Sequence, residues 1–189
     1  MDDLSKDELL ERQTKYWAKQ EASINGMLGG YGHITDVDIA GSQRFLDQIM
    51  PASLRQGRVL DCGAGIGRVA KGLLLPAGFY KVDLLDVSAT FLEKARLDLM
   101  PSGRLGRTFC SGLAEFDFGM PNGDDALRWR LIWVQWCIIY LTDVVLVDFF
   151  RRAAGALTDD GLLVVKENTF LEDEQPTEDA RDRCVSGCA

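Results

Sequence analysis

The chain has 189 residues, 47% apolar and 26% charged, and its 21 Lys and Arg against 29 Asp and Glu leave a net charge of −8. That length suits one domain of roughly 100–200 residues, and the composition excludes a wholly disordered chain, a collagen-like repeat and a coiled coil. The acidity argues against non-specific nucleic-acid binding, which needs a cationic surface.

The charge is unevenly spread. From Leu171 onward six acids (Glu172, Asp173, Glu174, Glu178, Asp179, Asp182) face only Arg181 and Arg183, which places −4 of the total in the last nineteen residues. With Pro176 and no apolar periodicity, that stretch reads as a disordered tail.

In chain order, residues 4–22 carry Leu4, Leu9, Leu10, Tyr16 and Trp17 among mixed charges, a helical pattern without the basic and apolar regions of a secretory signal. Ile24 to Ile34 holds Gly26, Gly29, Gly30 and Gly32, a loop that needs positive φ or close backbone approach. Ser42 to Met50 is the second expected helix, stopped by Pro51. From Arg58 the pattern alternates. Strands are expected over Arg58–Cys62, Tyr80–Val87, Thr108–Gly112, Leu131–Gln135 and Leu162–Glu167, and helices over Arg68–Leu75, Ala89–Met100 with Ser88 as N-cap, and Val144–Leu157. Alternation at this spacing implies parallel pairing through right-handed crossovers, hence a doubly wound α/β sheet. The apolar run Leu131–Phe150 is broken by Gln135, Asp143 and Asp148, so it reads as a buried strand and helix rather than a membrane span.

Five cysteines are an odd number, and no CxxC spacing occurs. Cys62, Cys110 and Cys137 lie in apolar stretches and read as reduced, mostly buried thiols, so the protein is expected in the cytoplasm, with the nucleus also open.

In an open α/β sheet, ligands bind beyond the carboxyl ends of the strands where strand order reverses. The turn Asp61-Cys62-Gly63-Ala64-Gly65-Ile66-Gly67-Arg68 is placed for that role, since its glycines bring backbone N–H groups close to a ligand and the next helix presents a positive end. A tight structural turn is the alternative reading. Asp86 ends the second strand about 20 residues beyond the glycines, where a carboxylate can accept two hydrogen bonds from a ribose diol; the alternative is a solvated acid. Asp83, on the other face of that strand, reads as solvated.

Taken together, Asp61 to Arg68, Gly29-Gly30-Tyr31-Gly32-His33 and Trp133-Val134-Gln135-Trp136 resemble the α-N-terminal protein methyltransferases. The likeness runs from about Tyr16 to Asn168, with further matches at Leu74-Leu75-Pro76, Leu141-Thr142-Asp143 and Lys166-Glu167-Asn168. It implies a Rossmann-like class I methyltransferase fold with an N-terminal helical extension, S-adenosyl-L-methionine as cofactor, and as substrate the α-amine of proteins that begin Xaa-Pro-Lys. Residues 1–50 would be helices and a glycine-rich lid loop, 51–170 the methyltransferase core and 171–189 the acidic tail.

Position by position, the resemblance implies that Gly63 and Arg68 hold the methionine end of the cofactor, with Arg68 on its carboxylate, and that Gly65 also binds the cofactor. Asp86 would take the ribose, with Val87 and Ser88 beside the adenine; Leu113 and Ala114 would line the adenine pocket. Gln135 would approach from the fourth strand and Trp17 would close over the site. Leu28 and Ile34 would border the peptide channel, and Trp136 and Asn168 would receive the first residue and the proline. Core packing is the alternative for both tryptophans, and the sole histidine, His33, reads as a loop-fixing hydrogen-bond partner rather than a base.

An α-amine has a pKa near ~7.7–8.0, so methyl transfer needs a proton acceptor. Relatives commonly have Gly-His before Leu-Thr-Asp, whereas this chain has Ile139-Tyr140; Tyr140 and Asn168 are the nearest candidates for that part, and no residue is assigned as base. Relatives also carry an Asp-rich segment, a helix and a closing β-hairpin after the fifth strand. Glu172 to Asp179 does not match that segment, so the chain is expected to lack the hairpin and to leave a sheet edge exposed. Two alternatives stay open: a methyltransferase for a small molecule, and a truncated, non-catalytic product that binds cofactor or peptide.

Overall fold

The computed structural model describes residues 6–119 and 127–168, together with the backbone of 177–178 and 185–186. The N-terminal extension holds α1 (Lys6–Trp17), α2 (Ile24–Met27) and α3 (Thr35–Ile49). Helix α1 ends sooner than its pattern suggests, because the amides of Lys19 and Gln20 reach back only three residues, to the carbonyls of Tyr16 and Trp17. The expected loop after it is a pair of short turns. Ser23 caps α2 by accepting from the Gly26 amide at 3.0 Å, and Gly29 and Gly30, at φ of 56° and 98°, swing the chain into a 3-10 turn over Gly32–Ile34.

Helix α3 starts seven residues before the expected Ser42. Gly41 sits inside the helix, and Asp36 and Asp38 in the first turn complement the positive helix end. Leu46 and Ser42 are buried on the face that meets the sheet.

The core is a parallel five-stranded sheet in the order β3-β2-β1-β4-β5, with β1 Arg58–Cys62, β2 Lys81–Asp86, β3 Leu105–Cys110, β4 Trp129–Gln135 and β5 Leu157–Lys166. Helices α4 (Ala89–Leu99) and α5 (Asp143–Gly155) complete the layers. On one face α3, the turn after β1 and α4 pack Leu46, Leu73, Leu74, Phe79 and Leu99 against Leu84 and Trp133. On the other, α5 and residues 113–118 pack Phe149, Ala153, Phe116 and Phe118 against Leu60, Ile132 and Trp129. Every residue of β4 is buried, as a central strand covered on both faces requires. No helix among the described residues is long and apolar enough to cross a membrane.

Three strands have bounds that move by two residues or more. Strand β3 begins at Leu105 and ends at Cys110, two residues short of the expected Gly112. Strand β4 begins at Trp129, and β5 at Leu157 with its register against β4 shifting between Trp129 and Leu131. The expected helix after the glycine turn contains a π-helical turn over Ala70–Leu74, in which the Leu75 amide donates to the Ala70 carbonyl five residues back.

Two expectations about single residues are overturned. Asp83 is not solvated: it is fully buried, accepting from Arg58 Nε and Trp129 Nε1 at 2.9 Å each and from the Arg107 amide. A charge inside this sheet is tolerable because it is paired and each oxygen is hydrogen-bonded. Cys110 is exposed on the β3 edge rather than buried, although Cys62 is buried and all three described cysteines are free thiols.

The order ends at β5, so among the described residues no strand pairs with its outer side. A separate antiparallel ladder joins Thr177–Glu178 to Val185–Ser186; the rest of the acidic tail, with Asp179 and Asp182, lies outside the described residues.

Candidate functional site

Strand order reverses between β1 and β4, and a cavity opens at their carboxyl ends, the place where ligands of open α/β sheets bind. Its floor is the turn after β1, its walls are the ends of β2 and β4, and its roof is α1 and α2.

Gly63, Gly65 and Gly67 all have positive φ, at 67°, 54° and 79°. A Cβ on Gly63 would stand 2.7 Å from Cys137 Cβ, and one on Gly67 would stand 2.9 Å from Leu99 Cδ1, so only glycine lets the turn approach β4 and α4 this closely. At Gly65 the neighbour is Met27, whose sulfur accepts from the Ile66 amide at 3.0 Å and so latches α2 onto the turn.

Asp86 ties the turn to β2. One carboxylate oxygen accepts from the Gly65 amide and the other from the Ser88 amide, both at 2.8 Å. Burial pushes its carboxyl above the usual range against the pull of these bonds. A carboxylate has about four acceptor sites, so beside these amides and the adjacent Val87 amide it keeps capacity for a ribose hydroxyl. Asp61 lies deeper, accepting from the Ala70 amide at 3.1 Å. Burial pushes its carboxyl up to about 7, while Arg68 and that amide pull it down and Asp86 adds to the rise.

Arg68 is engaged by a partner that the sequence reading did not include. Its Nη1 donates to Asp38 Oδ2 at 2.6 Å, and Asp38 also accepts from Gln135 Nε2 at 2.9 and 3.0 Å and from Lys166 Nζ. Burial works against the Asp38 charge, but the hydrogen bonds from Lys166, Arg68 and Gln135 outweigh it and hold its carboxyl below the usual range. Gln135 is fixed from behind by Trp133 Nε1 at 3.0 Å. Trp136 has φ 55°, the left-handed region that a bulky residue rarely enters, and its ring lies 5.1 Å from the Arg68 guanidinium and 5.8 Å from Lys166 Nζ.

On the open side, Trp17 stands edge-on to Phe91 at 6.1 Å and to Tyr140 at 6.4 Å. Both Trp17 and Trp136 line the cavity; the core tryptophans are Trp129 and Trp133. Glu167 accepts from the Asn168 amide at 3.0 Å and, by its position against the amides of residues 137–139, braces the 3-10 turn Ile138–Tyr140 that carries Tyr140. Burial raises its carboxyl and pushes the Cys62 and Cys137 thiols well above their usual range, which leaves both cysteines protonated.

Of the residues singled out from sequence, Trp17, Leu28, Gly63, Gly65, Arg68, Asp86, Val87, Leu113, Gln135, Trp136 and Tyr140 line this one cavity. Four do not. Ser88 is spent on the N-cap of α4, accepting from the Phe91 amide at 3.3 Å. Ala114 points its carbonyl at Arg152, which also holds the Leu113 and Phe116 carbonyls. Ile34 is half-buried in its 3-10 turn, and Asn168 is exposed beyond β5. His33 is exposed, with its ring tilted against Tyr31 at 6.1 Å. The cavity also recruits Gln13, Met27, Asp61 and Phe91. Only Met27, beside the glycines of its loop, and Asp61, inside the quoted turn, carried a local sign of this.

A parallel sheet in this order, a glycine turn after its first strand, a strand-end acid after its second and a cation at the start of the following helix define an S-adenosylmethionine-dependent methyltransferase of the Rossmann-like class. The residues fit that cofactor: glycines where a Cβ would collide, a half-buried diol acceptor in Asp86, and the Arg68 cation for a carboxylate. The family model described as AdoMet dependent proline di-methyltransferase matches residues 5–188, and the chain belongs to that family. It is 47% identical over 159 residues to N-terminal Xaa-Pro-Lys N-methyltransferase 1 of Xenopus tropicalis, covering 82% of this chain and 68% of the relative. The corresponding figures for the Homo sapiens protein of that name are 42% over 161 residues, 83% and 69%. Among solved structures, a SAM-dependent methyltransferase of Leishmania major superposes with a TM-score of 0.81 at 32% identity, covering 95% of this chain and 68% of that one.

Proposed function

We propose that this chain moves a methyl group from S-adenosylmethionine to the α-amine of proteins that begin Xaa-Pro-Lys. The carrying observation is that the cofactor-side residues and the residues ascribed to the peptide side, Leu28, Trp136 and Tyr140, line a single cavity. The relatives named above carry that substrate in their names.

S-adenosylmethionine, when bound, supplies an electrophilic methyl on a sulfonium. The chain's part is to bind, orient and exclude water. Arg68 offers charge-assisted hydrogen bonds to a carboxylate, Asp86 accepts from the ribose, and Val87 and Leu113 present apolar surface to the adenine. Trp17, Phe91 and Tyr140 roof the site with aromatic edges. An α-amine lying on Trp136 enters a site walled by aromatic side chains, and desolvation there favours its neutral, nucleophilic form. Tyr140 is the polar group of this chain closest in role to a proton relay, and an amine already neutralised by its surroundings asks less of it.

The free thiols of Cys62, Cys110 and Cys137 support an intracellular site of action, in cytoplasm or nucleus. The functional test is labelled-methyl transfer to a peptide beginning Ser-Pro-Lys and to its N-acetylated twin. Labelling of the free peptide alone is expected; equal labelling of the two refutes α-amine transfer. A small-molecule acceptor lacks support from the peptide-side residues gathered in the cavity.

A further inference from the structure

Asp38 is the most heavily engaged carboxylate of the site, and it comes from the N-terminal extension rather than from the sheet. It accepts from Arg68, Gln135 and Lys166, while Lys166 Nζ also donates to Ser42 Oγ, one turn further along α3, at 2.9 Å. The side chains of Asp38 and Arg68 are 5% and 4% exposed. One carboxylate therefore serves two cations, a buried Arg68 and a Lys166 that is 34% exposed, which leaves these three groups one positive charge in excess. Buried excess charge is costly unless a ligand matches it. Arg68 and Gln135 border the cavity, so the excess faces the place where an anionic group would lie.

A second carboxylate competes for Arg68. Asp61 is 1% exposed, borders the same cavity and interacts electrostatically with Arg68. Without Asp38, the guanidinium would turn toward Asp61 and away from the entering carboxylate. Charge alone points the other way, since deleting an anion makes the cluster more cationic. The geometry decides between them: a guanidinium is a planar fork whose worth depends on orientation, and Asp38 sets that orientation.

We propose that Asp38 is a positioning residue that, itself held by Lys166, fixes Arg68 as the cationic receptor for the carboxylate of the cofactor's methionine end. The inference rests on the cofactor reading above. It also explains why α3 begins at Thr35: the helix must deliver Asp38 and Ser42 on one face, four residues apart.

The test is a calorimetric titration of wild type and Asp38→Asn with two ligands, S-adenosylhomocysteine and 5′-methylthioadenosine, which shares the nucleoside and sulfur but lacks the amino-acid carboxylate. Asp38→Asn is expected to weaken S-adenosylhomocysteine by about tenfold to a hundredfold, the range for a lost charged hydrogen-bond partner, and to leave 5′-methylthioadenosine within about twofold. In an Arg68→Gln background, Asp38→Asn is expected to add little, because the two act as a unit. Lys166→Gln, which keeps the Asp38–Arg68 pair, serves as the second variant if Asp38→Asn does not fold, with a selective loss of S-adenosylhomocysteine again expected. Equal weakening of both ligands marks a merely structural role and overturns the proposal, as does unchanged or tighter S-adenosylhomocysteine binding. Wild type that binds neither ligand overturns the cofactor reading itself.

Discussion

Asp61 gives the protein an unusual dependence on pH. Its folded-state carboxyl is pushed up to about 7 from an ordinary 3.8, chiefly by burial. A proton is therefore held more tightly by the folded chain than by the unfolded one. The stability tied to this group is complete below about pH 4 and is lost as pH rises through about 7. Between those limits the loss is about 1.4 kcal/mol per pH unit, and over the whole window about 4 kcal/mol. For a chain of this size that corresponds to roughly 3–5 °C of Tm per pH unit. Asp61→Asn keeps an acceptor for the Ala70 amide and cannot ionise, so its Tm should fall less steeply with pH than that of wild type. Asp38 works in the opposite sense, since its lowered carboxyl contributes stability above about pH 4 that disappears on acidification. It is present in both proteins and cancels in the comparison. Thermal melts followed by circular dichroism from pH 5 to 8 read the difference between the two slopes. Parallel slopes would show that Asp61 titrates near its ordinary value and would refute the burial argument.

Asp83→Asn breaks a buried pair with Arg58 while leaving Trp129 and the Arg107 amide beside an amide group, and should cost about 3–5 kcal/mol in urea unfolding, with cofactor affinity unchanged. A cost under about 1 kcal/mol would return Asp83 to the solvated reading. Gly63→Ala places a Cβ 2.7 Å from Cys137 Cβ at φ 67°; a loss of about 1–3 kcal/mol in stability and of calorimetric S-adenosylhomocysteine binding is expected, and wild-type binding would refute the close-approach argument. Tyr140→Phe removes the phenol but keeps the edge contact with Trp17, so kcat should fall by about tenfold to a hundredfold with cofactor affinity intact. An unchanged kcat would leave neutralisation of the amine to the surroundings of Trp136 alone.

What could be read in the sequence was what is written in contiguous residues. Strand β1 and its turn needed only Arg58-Val59-Leu60-Asp61-Cys62 followed by alternating glycines, and Asp86 needed only its distance from them. The early start of α3 was hidden because Gly41 imitates a helix end, and the early start of β5 because its register against β4 shifts between Trp129 and Leu131. Asp83 was misplaced for a related reason. Alternation along β2 puts it on the face opposite Asp86, but in a sheet covered on both sides neither face is solvent, and only the fold brings Trp129, from 46 residues away, to its carboxylate. Asp38 was beyond reach altogether: its partners Gln135 and Lys166 lie 97 and 128 residues further along the chain, and nothing local to Thr35–Asp38 announces a buried ion cluster.

The same distance from local pattern governs the charge. A net charge of −8 describes the chain, yet the cavity has a cation on its wall: Arg68, which shares Asp38 with Lys166, while near neutral pH Asp61 is only partly ionised. An acidic chain and a cationic patch inside the cleft coexist because charges beyond about 8–10 Å are screened in physiological salt, whereas buried ones are not. A carboxylate entering the cleft therefore responds to Arg68, Asp38, Asp61 and Lys166 rather than to the total. Because one of those groups belongs to α3, the N-terminal extension is part of the cofactor site as well as its roof.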